Sequence, residues 1–191
     1  TFSQDIPVGT WRTHFSYNDA RIISVTEDKI FCAAEIGLFS REITEGSLRE
    51  LSKVDGLSDV EVSALQYNEN SNVLVIGYES GFIDFVFENE LISVSDIARS
   101  NLDGDKSIND VAFSSGSTFL ATDLGVIVLN TSNADIVENY VQIGSGGVAV
   151  EVLQILVIDN SIFLRTSEGI QSGEFGANLL DFSNWTRYAS T

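Results

Sequence analysis

The stretch TFLATDLGVIVL at residues 118–129 reads as two short β-strands joined at a glycine, and three other stretches have the same form. They are IFCAAEIGLF (30–39), VLVIGYESGFIDF (73–85) and IFLRTSEGI (162–170). The joining glycines recur every 44 residues, as Gly37, Gly81, Gly125 and Gly169. Self-similarity with a period of about 40–50 residues is typical of propeller blades and solenoid repeats. Because every copy is rich in β-branched and aromatic residues broken by turn formers, an all-β propeller is predicted.

The repeated glycines are predicted to end three-residue hairpin loops, since such loops commonly close with a residue at positive φ. In three of the four copies an acidic residue lies two positions before the glycine, as Glu35, Glu79 and Asp123. A short acidic side chain at such a position can accept a hydrogen bond from the loop backbone. We therefore expect these acids to stabilise their own turns.

The repeats divide the chain into predicted four-stranded antiparallel blades. After an N-terminal tail (1–10), the four repeats cover 11–43, 48–88, 91–131 and 136–175, and 185–190 is predicted to begin a fifth. A strand of the same type at both termini, with Trp11 and Trp185 in matching places, exceeds what a closed four-bladed ring needs. The chain (1–191) is therefore predicted to be one region of a larger, about seven-bladed propeller. Its open blade edges could recruit another chain.

Strand alternation also predicts which loops share a face. The connections between the first and second strands of each repeat and the repeated hairpin loops are expected on one side, and they carry Asp55, Asp59, Glu79, Asp103, Asp105 and Asp123. The simpler interpretation of these acids is a solvated surface. The more specific interpretation is a docking face for a cation or a basic partner, because propellers often bind through one loop face.

The charge of the chain limits its partners. Ten basic residues against 28 acidic ones give a net charge of −18 and a pI near 4.1. This charge excludes a nucleic-acid role and disfavours anionic membrane surfaces. The sequence also contains no apolar stretch of about 18 residues, so no membrane span is predicted.

The sequence contains no complete motif for catalysis or for cofactor binding. The segment DGDKSIND (103–110) begins like a calcium loop, but Ile108 and Ser114 replace the glycine and the glutamate that such a loop requires. His14 is the only histidine and Cys32 the only cysteine, too few for a metal site or a catalytic triad. We predict no enzyme activity and no cofactor.

The segment VDGLSDVEVSALQYNENSNVLVIGYESGFIDFV (54–86) resembles the repeat of Bacteroidetes propellers, with a GLs turn, a V-S-x-I-type inner strand and GY-x-x-G. Three segments fit the same pattern in the same order: DIPVGTWRTHFSYNDAR (5–21), INDVAFSSGSTFLATDLGVIVLN (108–130) and SIFLRTSEGI…NLLDFSNWTRY (161–188). Together, from about Asp5 to Tyr188, they resemble the PorZ family, surface β-propeller proteins of the type IX secretion system.

The resemblance implies a larger protein with two propellers and a C-terminal sorting domain, exported to the periplasm or the outer-membrane cell surface. It implies that the partner is either a protein or a cell-surface glycan. The protein partner would be a sortase-type component, which trims cargo and attaches it to anionic lipopolysaccharide. The resemblance supplies no catalytic residue. A domain with a net charge of −18 is itself a poor ligand for an anionic polysaccharide.

The alternative function is the periplasmic glycan-sensing propeller of a hybrid two-component regulator, which shares the GLs…V…G framework. Such propellers usually carry an LWIGT-like phrase on an inner strand. The matching positions here read VLVIGY (73–78) and TFLATD (118–123), without tryptophan. A surface scaffold without a role in export is a third possibility.

Overall fold

The computed structural model describes residues 19–35, 37–101 and 104–188, and in this part the chain forms four separate four-stranded antiparallel sheets, or blades. Blade 1 contains β1 (Ala20–Val25), β2 (Lys29–Ala34), β3 (Leu38–Glu42) and β4 (Leu48–Leu51). Blade 2 contains β5 (Val62–Asn68), β6 (Val73–Tyr78), β7 (Ile83–Val86) and β8 (Leu91–Val94). Blade 3 contains β9 (Ile108–Ser114), β10 (Ser117–Thr122), β11 (Gly125–Asn130) and β12 (Ile136–Tyr140). Blade 4 contains β13 (Val152–Ile158), β14 (Ser161–Thr166), β15 (Gly169–Glu174) and β16 (Thr186–Tyr188). The all-β propeller prediction is confirmed.

The sheets group the strands one step later than the repeats drawn from the sequence. The last strand of each blade is the strand that was predicted to open the next repeat. Thus β16, predicted to begin a fifth repeat, pairs with β15 and completes blade 4. In blades 1 to 3 the third and fourth strands are joined by tight turns closed by backbone hydrogen bonds, such as Phe87 N to Glu90 O at 2.8 Å. Residues 11–18, with which the first predicted repeat begins, lie outside the described residues.

The hairpin turns differ from the predicted loops in length. All four repeated glycines adopt positive φ, and blade 2 has a three-residue loop, closed by Tyr78 N donating to Phe82 O at 3.1 Å. In blades 3 and 4 two residues form the turn and the glycine begins the next strand, as where Thr122 pairs with Gly125. Thr122 Oγ1, rather than an acid, accepts from the loop backbone, from Leu124 N at 3.2 Å, and it donates to Gly125 O at 3.0 Å. The prediction that Asp123 caps this turn is wrong, because its carboxylate accepts from a side chain of β9.

The apolar core of the described residues lies between consecutive blades. One cluster fills the space between blades 1 and 2, a second between blades 2 and 3, and a third between blades 3 and 4. The first strands of successive blades contact one another and are therefore the inner strands. Ser63 Oγ donates to Ile108 O of the next blade at 2.7 Å, and Asn109 Nδ2 repeats this contact with Val152 O at 2.9 Å. These bonds fix the inner strands of blades 2, 3 and 4 relative to one another along the strand direction.

Gln171, in the centre of β15, gives a stability prediction. Its side chain is 1% exposed, faces the core between blades 3 and 4, and neither amide atom has a hydrogen-bond partner among the described residues. Since a buried unsatisfied polar group costs about 1–3 kcal/mol, Gln171→Met should raise the free energy of unfolding by about 1–2 kcal/mol. Urea unfolding followed by the fluorescence of the buried Trp185 measures this change. The control Gln154→Met, on the exposed face of the same blade, should change stability little, and a loss at position 171 would contradict the prediction.

Candidate functional site

An acidic pocket of about 530 Å³ opens where loops of blades 2, 3 and 4 meet. Five carboxylates line it, which are Glu61, Glu79, Asp105, Asp123 and Glu151. We call this group the acidic pocket. Three of its members come from connections between blades and two from hairpin turns, so these two kinds of loop do share one face of the propeller, here called the loop face.

Backbone hydrogen bonds fix the main-chain segments that carry three of the pocket acids. Glu61 and Glu151 directly precede the inner strands β5 and β13, and Glu79 follows β6 in its hairpin turn. Glu79 N donates to Glu61 O at 3.1 Å, and Ser167 N repeats this bond with Glu151 O at 3.1 Å. The hairpin turn of a blade is thereby tied to the entry of its own inner strand.

A polar side chain fixes the orientation of one pocket acid. Asn109 Nδ2 donates to Asp123 Oδ1 at 2.7 Å and at the same time to Val152 O of blade 4 at 2.9 Å. The carboxylate of Asp123 is therefore held at the junction of blades 3 and 4. A preorganised carboxylate loses little side-chain entropy when it binds a cationic group.

Three of the six predicted acids, Glu79, Asp105 and Asp123, line the acidic pocket, whereas two others serve local structure. Asp55 caps the 3-10 helix Lys53–Asp55, accepting from Ser52 N at 3.0 Å. Partial burial raises the pKa of Asp55. The hydrogen bonds from Ser52 and the interaction with Arg49 outweigh it and hold this pKa below its ordinary value.

Asp59 also has local partners. It accepts a hydrogen bond from Ser80 Oγ at 2.7 Å and forms an ion pair with Lys53 Nζ at 2.9 Å. The hydrogen bond from Ser80, more than the charge of Lys53, lowers the pKa of Asp59 below its ordinary value. Asp103 lies outside the described residues.

Sequence reasoning missed two pocket residues, Glu61 and Glu151. Both occupy the centre of a Val-Glu-Val triplet, at 60–62 and 150–152, at the start of an inner strand. The repeated triplet was a signal that could have found them. Its central acid faces the loop side because the strand proper begins only at the following valine.

The acidic pocket lacks a compensating cation in the described part of the chain. The ion pairs that the structure shows there involve Asp19, Glu35, Glu42, Asp55 and Asp59, none of which lines the pocket. Lys106 follows Asp105 in sequence, but its Nζ donates to the carbonyl oxygens of Ala98 at 3.1 Å and Ser100 at 2.7 Å. The carboxylates therefore generate a negative potential that is open to a cationic group from outside.

Neither a metal-binding cluster nor a membrane-spanning helix occurs among the described residues. Over the described ranges, no group of three or more His, Cys, Asp or Glu side chains is arranged to hold a metal ion. No helix in this part of the chain has the length and apolar character needed to cross a membrane.

A second polar cluster is buried inside blade 2 around Asp84, whose side chain is fully buried. Its carboxylate accepts hydrogen bonds from Ser58 N at 2.7 Å, Ser58 Oγ at 2.6 Å, Tyr78 OH at 2.7 Å and Ser93 Oγ at 2.6 Å. Burial, and then the charge of Asp84, raise the pKa of Tyr78 far above its ordinary value, so its hydroxyl stays a donor. This cluster explains the GLs turn, because Ser58 binds Asp84 while Leu57 enters the core.

Four consecutive antiparallel sheets stacked through their inner strands define the chain as a β-propeller. The chain belongs to the family of N-terminal β-propeller domains of PorZ from the type IX secretion system, whose family model matches residues 30–186. The family resemblance inferred from the sequence is thus confirmed.

Solved structures show the same fold. PorZ of Porphyromonas gingivalis, described as an essential surface component of the type IX secretion system, is 26% identical with a TM-score of 0.80. The match covers 95% of this chain and 24% of that chain, so the present chain spans about a quarter of PorZ.

Two more distant structures agree in fold alone. The extracellular domain of the putative hybrid two-component system BT4673 from B. thetaiotaomicron is 12% identical with a TM-score of 0.66, covering 81% of this chain and 20% of that chain. The WD40 repeats of RRP9 are 13% identical with a TM-score of 0.62, covering 83% of this chain and 49% of that chain. No curated protein sequence matches the chain.

Proposed function

We propose that this chain is a non-catalytic interaction module of a cell-surface protein that assists type IX secretion and the surface attachment of cargo. The observation that carries the proposal is the family match over residues 30–186. It is supported by the similarity to PorZ, a surface component of that system, over 95% of the chain. The module then acts after export, in the periplasm or at the outer surface.

The acidic pocket is the surface through which this module contacts its protein partner, a sortase-type component that presents lysine or arginine side chains. Three observations support this role: the pocket is concave, the carboxylate of Asp123 is held by Asn109, and no ion pair in the described part of the chain involves a pocket acid. Contacts of this kind steer association and weaken as salt is added. An anionic polysaccharide is repelled from the same surface.

The proposal is tested in the source bacterium with the full-length gene. A deletion strain is complemented with the wild-type gene or with the triple variant Glu61→Gln, Glu79→Gln, Glu151→Gln, and processed cargo at the cell surface is measured. The matched control is Glu69→Gln, Glu88→Gln, Glu90→Gln. These three acids are exposed and lie in turns on the opposite face, and their substitution removes the same charge as the pocket variant.

Deletion should leave cargo unprocessed in the periplasm. The pocket variant should restore surface cargo poorly at normal protein level, while the control variant restores it fully. Full restoration of surface cargo by the pocket variant would contradict the docking role of the acidic pocket. Normal cargo in the deletion strain would overturn the secretion function itself.

The glycan-sensing function remains the second candidate, because the fold also matches the extracellular domain of a hybrid two-component system. Against it, no aromatic side chain lines the acidic pocket, whereas binding sites for small molecules are lined predominantly by apolar and aromatic groups. Normal cargo in the deletion strain would favour this candidate, and a failed transcriptional response to a surface glycan would support it.

A further inference from the structure

The connection between blades 1 and 2 exposes an apolar side chain almost completely. Val54 is 97% exposed, and no other large apolar side chain in the described part of the chain exceeds 65%. It lies at the centre of the 3-10 helix Lys53–Asp55, on the loop face. We call the segment 52–56 the valine turn. A single exposed apolar side chain is ordinary on a protein surface, but Val54 is held unusually firmly and its charged neighbours are paired.

Hydrogen bonds fix the backbone on both sides of Val54. Ser52 Oγ accepts from Val54 N at 3.3 Å, and the Asp55 carboxylate accepts from Ser52 N at 3.0 Å. Gly56 ends the turn with a φ of 103°, and its N–H donates to Lys53 O at 3.2 Å. Because a β-branched side chain has few rotamers, Val54 loses little conformational entropy when a partner covers it. The turn therefore presents a rigid apolar projection.

The charges around Val54 cancel, although the chain carries a net charge of −18. Arg49 Nη2 lies 3.3 Å from Asp55 Oδ1. Lys53 Nζ lies 2.9 Å from Asp59 Oδ1. Two positive and two negative groups thus surround the valine, which makes the valine turn a neutral area on an acidic surface. A contact made by Val54 should depend little on salt, because salt screens charged interactions.

The valine turn adjoins the acidic pocket through Asp59. One carboxylate oxygen of Asp59 pairs with Lys53, and the other accepts from Ser80 Oγ at 2.7 Å. Ser80 lines the acidic pocket beside Glu79. Two contacts therefore connect the turn to the wall of the pocket. A protein interface of ordinary size covers about 800 Å² on each partner, which is enough to include both.

We infer that Val54 is an apolar anchor of the interface that the acidic pocket forms with its protein partner, an inference that rests on the proposed function. The partner then presents an apolar depression beside its lysine or arginine side chains. Charged groups mainly set the rate and the salt dependence of association, whereas well-packed apolar anchors mainly slow dissociation. The two parts of the loop face thus make different and separable contributions to binding.

The test measures the binding of the full-length protein to the purified sortase-type component of the same bacterium, by surface plasmon resonance at low and high salt. Val54→Ser should raise the dissociation rate constant about tenfold at both salt concentrations. The triple variant Glu61→Gln, Glu79→Gln, Glu151→Gln should instead slow association, and mainly at low salt.

Two controls accompany the measurement. Val54→Ile keeps an apolar β-branched side chain and should bind like the wild type. Val137→Ser removes an apolar side chain that is 65% exposed on the outer strand β12, away from the loop face, and should also bind like the wild type. Both serine variants should keep the thermal unfolding midpoint of the wild type, because each changes an exposed side chain.

The outcomes separate this inference from the proposed function. A Val54→Ser protein with the wild-type dissociation rate would overturn the inference and leave the docking role of the acidic pocket intact, and so would an equal loss in Val137→Ser. Normal binding by the triple variant together with fast dissociation of Val54→Ser would contradict the role of the pocket and uphold the contact at Val54. A wild type that binds the sortase-type component at neither salt concentration would overturn both.

Discussion

Replacing Asp84 by alanine is expected to lower the free energy of unfolding by about 3–5 kcal/mol. The Asp84 carboxylate is fully buried and accepts four hydrogen bonds, one of them from the backbone N–H of Ser58. Alanine would leave that N–H and the Tyr78 hydroxyl buried without an acceptor, and it would also leave a cavity. The loss should loosen the connection between blades 1 and 2, because two of the four hydrogen bonds join Ser58 of this connection to Asp84 of blade 2.

Urea unfolding followed by circular dichroism measures the effect of this substitution. Asp96→Ala is the control, since Asp96 is an exposed aspartate after β8, and it should change stability by less than about 0.5 kcal/mol. Tyr78→Phe removes one of the donors and keeps the ring, so it should cost about 1–2 kcal/mol. An Asp84→Ala protein as stable as the wild type would show that the cluster contributes nothing net.

Gly125→Ala is the second substitution with a large expected effect, a loss of about 3–5 kcal/mol. Gly125 has a φ of 121°, which side chains rarely adopt. An added Cβ would overlap the carbonyl oxygen of Tyr140 and lie 3.0 Å from the Cα atom of Val141. Because both neighbours are backbone, the strand pair β11 and β12 would have to separate at this end.

Gly116→Ala isolates the backbone part of that cost. Gly116 has a φ of 80°, but nothing lies within 4 Å of an added Cβ, so about 1 kcal/mol should be lost. Thermal unfolding of both variants gives the comparison. It is followed by the fluorescence of Trp185, whose ring packs edge-on against Tyr140. Equal losses at the two positions would mean that the close approach at Gly125 is relieved without cost.

Much of the fold was predictable because its signal repeats. The interval of 44 residues between the repeated glycines located the hairpins, and every described strand falls within a predicted repeat or within the predicted start of the fifth. The assignment of each fourth strand to its blade was not predictable from pattern alone. A strand that follows a tight turn and precedes a long connection pairs backwards, and Leu91–Val94 shows this in blade 2.

The acidic pocket was predicted only in part, for a physical reason. Strand alternation placed Glu79, Asp105 and Asp123 on one face, and the structure brings them together. It could not tell which acids already have partners, so Asp55 and Asp59 were grouped with them although each is bound locally. Such partners depend on side-chain geometry rather than on sequence spacing.

The order of strands within each blade has a consequence for how the chain folds. Every sheet pairs strands in chain order, so each β-pairing closes only a short loop, and contacts between distant residues arise mainly where blades stack. Low sequence separation speeds folding, and stacked repeats can nucleate at more than one point and propagate to their neighbours. A nascent chain can therefore build one blade after another as its residues become available, before its C-terminal residues have been added.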